Sequence, residues 1–105
     1  MKLEYEPIGK MNESKQPEDF YFGDFKFEPL LDCDDPDTGM HTCWATPIYD
    51  SDKSRTWMYL ELDENGKYRV TDNGGRVVMK MEGLTFNSAK KKFLAYVELS
   101  GIESR

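Results

Sequence analysis

The sequence predicts an α+β domain, an antiparallel sheet of four or five strands followed by two helices near the C-terminus. Three observations carry that expectation. The run 56–62 is rich in strand-forming residues, with Met58, Leu60 and Leu62 on one face and Trp57, Tyr59 and Glu61 on the other. Asn65-Gly66, the strongest short hairpin signal, separates that run from a second one at 67–71. Beyond residue 76 the apolar spacing changes to three and four, the period of a helix. The chain has 105 residues, which fits one domain, 1–105, built on one core.

The elements follow in chain order. Leu3 and Tyr5 stand at strand spacing, which suggests a short edge strand over 2–6, and the polar run 8–18 reads as a loop. In 19–28, Phe20 and Phe22 alternate, as do Phe25 and Phe27, with Gly23-Asp24 between them. Gly-Asp can close a two-residue hairpin or mark a bulge in one continuous strand. The bulge is favoured, because two three-residue strands are short. Residues 29–40 read as a turn-rich loop. His41 to Tyr49 reads as a strand centred on Trp44, with Pro47 pushing its end to an edge or a kink.

Thr56 to Leu62 is the clearest strand, with Trp57, Tyr59 and Glu61 on one face and Met58, Leu60 and Leu62 on the other. Lys67 to Thr71 returns beside it. Asp72-Asn73-Gly74-Gly75 breaks the pattern. Val77, Val78, Met81 and Leu84 then follow helical spacing, and Gly83 would stop that helix, while the β-branched pair leaves a strand open. Asn87 or Ser88 can cap a last helix over about 88–99, whose apolar stripe is Ala89, Phe93 and Val97. Gly101 ends it.

The composition sets the function class. Net charge is −6, and it is uneven: residues 1–53 hold 13 acids and 5 bases, residues 54–105 hold 7 acids and 9 bases. A first half this negative repels nucleic acid phosphate and suits a basic protein surface. The first ten residues hold no apolar stretch of the kind that opens an export signal. With two cysteines in the chain, this points to reduced thiols and a cytoplasmic location.

Cys33, His41 and Cys43 are the only two cysteines and the only histidine, and they stand close together. Thiolates and imidazole are zinc's preferred ligands, and Asp32, Asp34, Asp35 or Asp37 can supply a fourth, so Cys33, His41 and Cys43 with Asp35 are a candidate structural zinc site. The spacing matches no standard zinc motif, and a buried, apolar role for Cys43 is the competing reading. Asp32, Asp34, Asp35 and Asp37 do not follow the EF-hand order. Nucleophilic catalysis lacks support: one histidine cannot serve as both ligand and base, and neighbouring acids raise rather than lower a thiol's pKa.

The second half resembles an uncharacterised bacterial and phage domain family. The residues that carry the likeness are Thr46-Pro47-Ile48-Tyr49-Asp50, a strand pair, Arg69-Val70-Thr71-Asp72-Asn73-Gly74, and a Ser-Ala-Lys-Lys-Lys helix start. Ile48 replaces that family's Phe, and Asn73 its second Asp. The resemblance covers about 42–102. It implies sheet followed by helices, and a helix at 76–83, and it carries no function. In size, acidity and lack of catalytic apparatus the chain also looks like the small phage inhibitors of host defence nucleases, the anti-CRISPR and anti-restriction proteins.

The functional expectation is therefore a protein-binding inhibitor and not an enzyme. Asp24, Glu28, Asp32, Asp34 and Asp37 would meet a basic partner, plausibly a Cas nuclease, with Tyr21 as aromatic anchor. Two alternatives stand beside it. One is a metal-dependent hydrolase or nuclease-associated domain. The other is a nucleic-acid-binding module using Lys90, Lys91 and Lys92.

Overall fold

The structure is a computed structural model, and it describes residues 8–9, 17–30, 42–62 and 66–105. Seven strands and one helix occur among them: β1 (Phe20–Phe22), β2 (Phe25–Leu30), β3 (Thr42–Tyr49), β4 (Arg55–Leu62), β5 (Tyr68–Thr71), β6 (Val77–Lys80), α1 (Phe86–Leu99) and β7 (Glu103–Ser104). The strands form one sheet in the order β1-β2-β3-β4-β5-β6, and every pairing is antiparallel. Short β7 pairs with β3 at Ile48 and Tyr49, past the stretch of β3 that β2 occupies. The α+β class holds. The count of four or five strands and two helices does not.

Three differences from expectation have local causes. Gly23-Asp24 is a hairpin turn rather than a bulge, because Phe22 pairs directly with Phe25. Gly23 takes φ +61 and Asp24 stays out of the left-handed region, the pattern of a type II′ turn. Residues 77–80 form β6, not a helix. Val77 and Val78 are β-branched and favour the pleated surface. A bulge at Val70/Thr71 absorbs the extra residue, so the spacing that imitated a helix is a strand with one irregularity. The last helix starts earlier than expected, because the Thr85 side chain, not Asn87 or Ser88, accepts the N–H of Ser88.

The helix exit follows the expectation. Gly101 takes φ +69, its N–H donates to Glu98 O, and Ile102 N–H donates to Val97 O. That bond pair is a Schellman ending, and it turns the chain straight into β7.

The core lies between the sheet and α1. Phe20, Phe22, Phe25, Phe27, Trp44, Met58, Leu60 and Val70 line the sheet side, and Ala89, Phe93 and Val97 the helix side. Phe93 has the rings of Phe22, Phe25 and Phe27 within 5.1–5.5 Å. These edge-on and tilted contacts are the favourable aromatic geometries. Ile8, expected in a polar loop, is buried in this core. Beside it, Gly9 lies against the Trp44 ring so closely that a Cβ there would overlap it. Trp44 Nε1 donates to Glu18 O at 2.9 Å, which satisfies the one polar group of a fully buried indole.

Pro47 lies inside β3, not at an edge or a kink. A residue's N and O face the same side of an antiparallel ladder. Pro47 O accepts from Arg105 N, so its hydrogen-less nitrogen also faces the β7 side. The pairing with β4 loses nothing. Residues 2–6 and 31–41 lie outside the described residues, and Pro29 and Leu30, expected in a loop, close β2.

Candidate interaction surface

The sheet has one end where β3 and β5 finish and where β2, β4 and β6 begin. The Gly23-Asp24 turn, two longer hairpin loops and the exit of α1 all gather there. Gly101 at the helix exit stands against Ser51 of the nearest loop.

The two longer loops, 50–54 and 72–76, are copies of one design. In each, an Asp opens the loop, and its Oδ1 accepts the N–H groups two and four residues on, at 2.9 Å: Asp52 and Ser54 for Asp50, Gly74 and Arg76 for Asp72. In each, the Asp N–H donates to the carbonyl four residues on, at 2.9 Å, and its own carbonyl accepts from the residue three on. That third residue takes positive φ, +64 at Lys53 and +84 at Gly75. This is a three-residue loop with a left-handed residue at its close. Short Asp side chains seed such turns because they reach their own backbone two residues later.

Two hollows open at this end, with Ile102 lining both. The first, about 260 Å³, is lined by Ile48, Met58, Tyr96 and Ile102 with Asp50 and Asp72 among its polar residues. The second, about 440 Å³, is lined by Asp24, Phe25, Tyr49, Ile102, Glu103 and Ser104. Carboxylates thus stand beside apolar walls in both. Three cations are held close by. Lys53 Nζ bonds Glu103 at 2.8 Å, Arg76 Nε lies 3.4 Å from Asp72, and the Arg105 guanidinium sits 5.1 Å from the Trp57 ring.

The sheet face opposite α1 is the other exposed region. Among the described residues, the exposed large apolar side chains Tyr21, Leu30, Trp57 and Val77 stand on that face, and Leu99 belongs to the helix. Glu61 and Arg69 form the tightest ion pair there, at 2.9 Å, and Thr71 Oγ1 also donates to Glu61.

The residues singled out in the sequence divide three ways. Tyr21 is 55% exposed and sits opposite Lys26, with Glu28 on the same face. Lys26 lies 3.4 Å from Glu28 and 3.5 Å from Asp19. The Glu28 hydrogen bond, with Tyr21 and Asp19 nearby, raises the Lys26 pKa, so this patch keeps its cation. Asp24 is exposed at the tip of the β1–β2 turn, on the acidic end. Asp32, Cys33, Asp34, Asp35, Asp37 and His41 lie outside the described residues.

Cys43 is buried and disulfide-bonded, and no described cysteine is free, which departs from the reduced pair expected. A thiolate is what zinc binds, so the disulfide and a zinc on Cys43 are alternative uses of one sulfur.

Asp50, Asp72 and Glu103 were not singled out in the sequence. The Asp-Ser-Asp and Asp-Asn-Gly strings after strand runs do carry a turn signal. Nothing in them says that the two turns meet at one end of a sheet. No family model matches the chain, and no curated protein or solved structure matches it.

Proposed function

We propose that this chain is a protein-binding inhibitor, not an enzyme, that sets carboxylates and a few apolar anchors against the cationic surface of a nucleic-acid-handling protein. It would act as the small acidic phage proteins that block Cas or restriction nucleases do. The observation that supports this reading is the grouping of Asp24, Asp50, Asp72 and Glu103 around two apolar hollows. Charges at a rim speed encounter and fix register, while apolar contacts hold the complex. Tyr21 and Glu28 extend the surface along the hairpin.

Location in the cytoplasm of a bacterial host belongs to the same proposal. The disulfide at Cys43 weighs against it, since cytosolic thiols are kept reduced. A structural zinc on Cys33, His41, Cys43 and Asp35 is the form the reduced chain would take. Elemental analysis after mild reduction should then find one zinc per chain, and zinc-free reduced protein removes that part of the proposal.

The decisive experiment titrates purified Cas and restriction nucleases with the chain, reading complex formation and cleavage together. A stable complex with one of them, weakened by Asp24→Lys with Glu28→Lys, is the expected result. Binding to bare DNA with a steep salt dependence, and to none of the nucleases, would overturn the proposal.

A further inference from the structure

β4 is paired with β3 along its whole length, but with β5 only from Tyr59 to Leu62. Beyond Tyr59, the chain of β5 leaves the sheet into its Asp72 loop. On that side Arg55–Met58 has no strand beside it among the described residues. Alternate main-chain N–H and C=O groups of the segment face outward there, a bare edge that can template another strand. The 260 Å³ hollow lies along this edge, lined by Thr56, Trp57 and Met58, and Tyr96 bounds it. Asp50 and Asp72 stand at it, each with Oδ1 already held by its own loop. The second oxygen of Asp50 has no partner among the described residues. That of Asp72 is met only by Arg76, which is 81% exposed.

From this we infer that the hollow is a docking groove for an extended segment of a partner protein carrying an arginine or lysine. The segment adds beside Arg55–Met58 as a short continuation of β5 and points its basic side chain at Asp50 and Asp72. Three features select this occupant. The unpaired edge supplies main-chain hydrogen bonds, as in other strand additions. The two carboxylates supply charge complementarity. The volume lies below the usual range of about 300–1,000 Å³ for small-molecule pockets, which suits one side chain and its backbone. Trp57 already carries a guanidinium, that of Arg105, so its ring suits this chemistry.

The inference rests on the protein-binding reading above, and its test needs no partner. The ¹⁵N-labelled full chain is titrated with the acetylated, amidated tetrapeptide Thr-Arg-Val-Arg, and separately with Thr-Glu-Val-Glu. Expected are saturable amide shifts at Thr56, Trp57, Met58 and Gly74 with the arginine peptide and none with the glutamate one. Asp50→Asn with Asp72→Asn keeps each loop's oxygen acceptor while removing the charge, and should weaken binding about tenfold or more. Unsaturable shifts scattered over every acidic turn would overturn the groove. So would equal binding of the two peptides, or affinity indifferent to the Asn pair. A failure here leaves the nuclease titration standing, and a failure there leaves this measurement interpretable.

Discussion

The helix-covered face of the sheet and its turn end are built from the same strands and obey different rules. On the covered face, rings of Phe20, Phe22, Phe25, Phe27 and Phe93 interlock, and a change of shape has nowhere to go. At the turn end, Asp24, Asp50, Asp72 and Glu103 stand around hollows; the hydrogen bonds of Asp50 and Asp72 stay within their own loops, and Glu103 reaches across to exposed Lys53. Changes in the first region should therefore be felt as stability, and changes in the second as binding.

The largest expected effect is at Phe93. Phe93→Ala removes the ring that touches three others and should cost about 3–5 kcal/mol, read by chemical denaturation. A cost below about 1 kcal/mol would mean the face is not packed as described. Gly9→Ala comes next. The Cβ has no room beside Trp44, and overpacking of this kind costs about 1–3 kcal/mol.

Two substitutions should stabilise. Thr46 Oγ1 is buried with no hydrogen-bond partner among the described residues, and Thr46→Val removes that polar atom at nearly constant shape, for a gain of about 1 kcal/mol. Lys53 holds the left-handed position that Gly75 holds in the twin loop. Lys53→Gly should relieve up to about 1 kcal/mol of strain, less whatever the exposed pair with Glu103 contributes. If Lys53→Gly destabilises, the equivalence of the two loops is lost.

A smaller effect is expected in alkali. Burial raises the Tyr68 pKa, and a backbone hydrogen bond from Gly9 offsets only part of that. A raised folded pKa means the native state holds the proton longer than the unfolded chain. This contribution is therefore complete below about pH 10, the unfolded value, and is lost as pH rises through the folded one. Tyr68→Phe should flatten that alkaline decline in thermal melts. An unchanged slope would assign the decline to other groups.

How much of this was legible in the sequence varies by physical cause. The two faces read off the run 56–62 placed β4 correctly, and the stripe Ala89, Phe93 and Val97 located the helix. Those signals are local and repeated. The break at 72–75 was visible, but its meaning depended on what followed. Val77, Val78 and Met81 fit a helix and a bulged strand equally well, and pairing with β5 decides between them. β7 has two residues and no pattern of its own; it exists because the Schellman turn delivers it beside Tyr49. The candidate surface was hardest to see. Asp24 was found because it sits among aromatic residues. Asp50, Asp72 and Glu103 are far apart in the chain, and only the antiparallel order collects them at one end.

In the proposed mode of action, carboxylates on this chain compete with phosphate for a basic protein surface. The most direct measurement is competition: labelled duplex DNA is bound to a nuclease that forms a complex with this chain in the titration above, and the chain is added as wild type or as Asp24→Lys with Glu28→Lys. The account predicts that wild type displaces the DNA, less effectively as salt rises, and that the reversed variant fails while melting at an unchanged temperature. Displacement by both proteins alike, or a ternary complex that keeps the DNA, would contradict it.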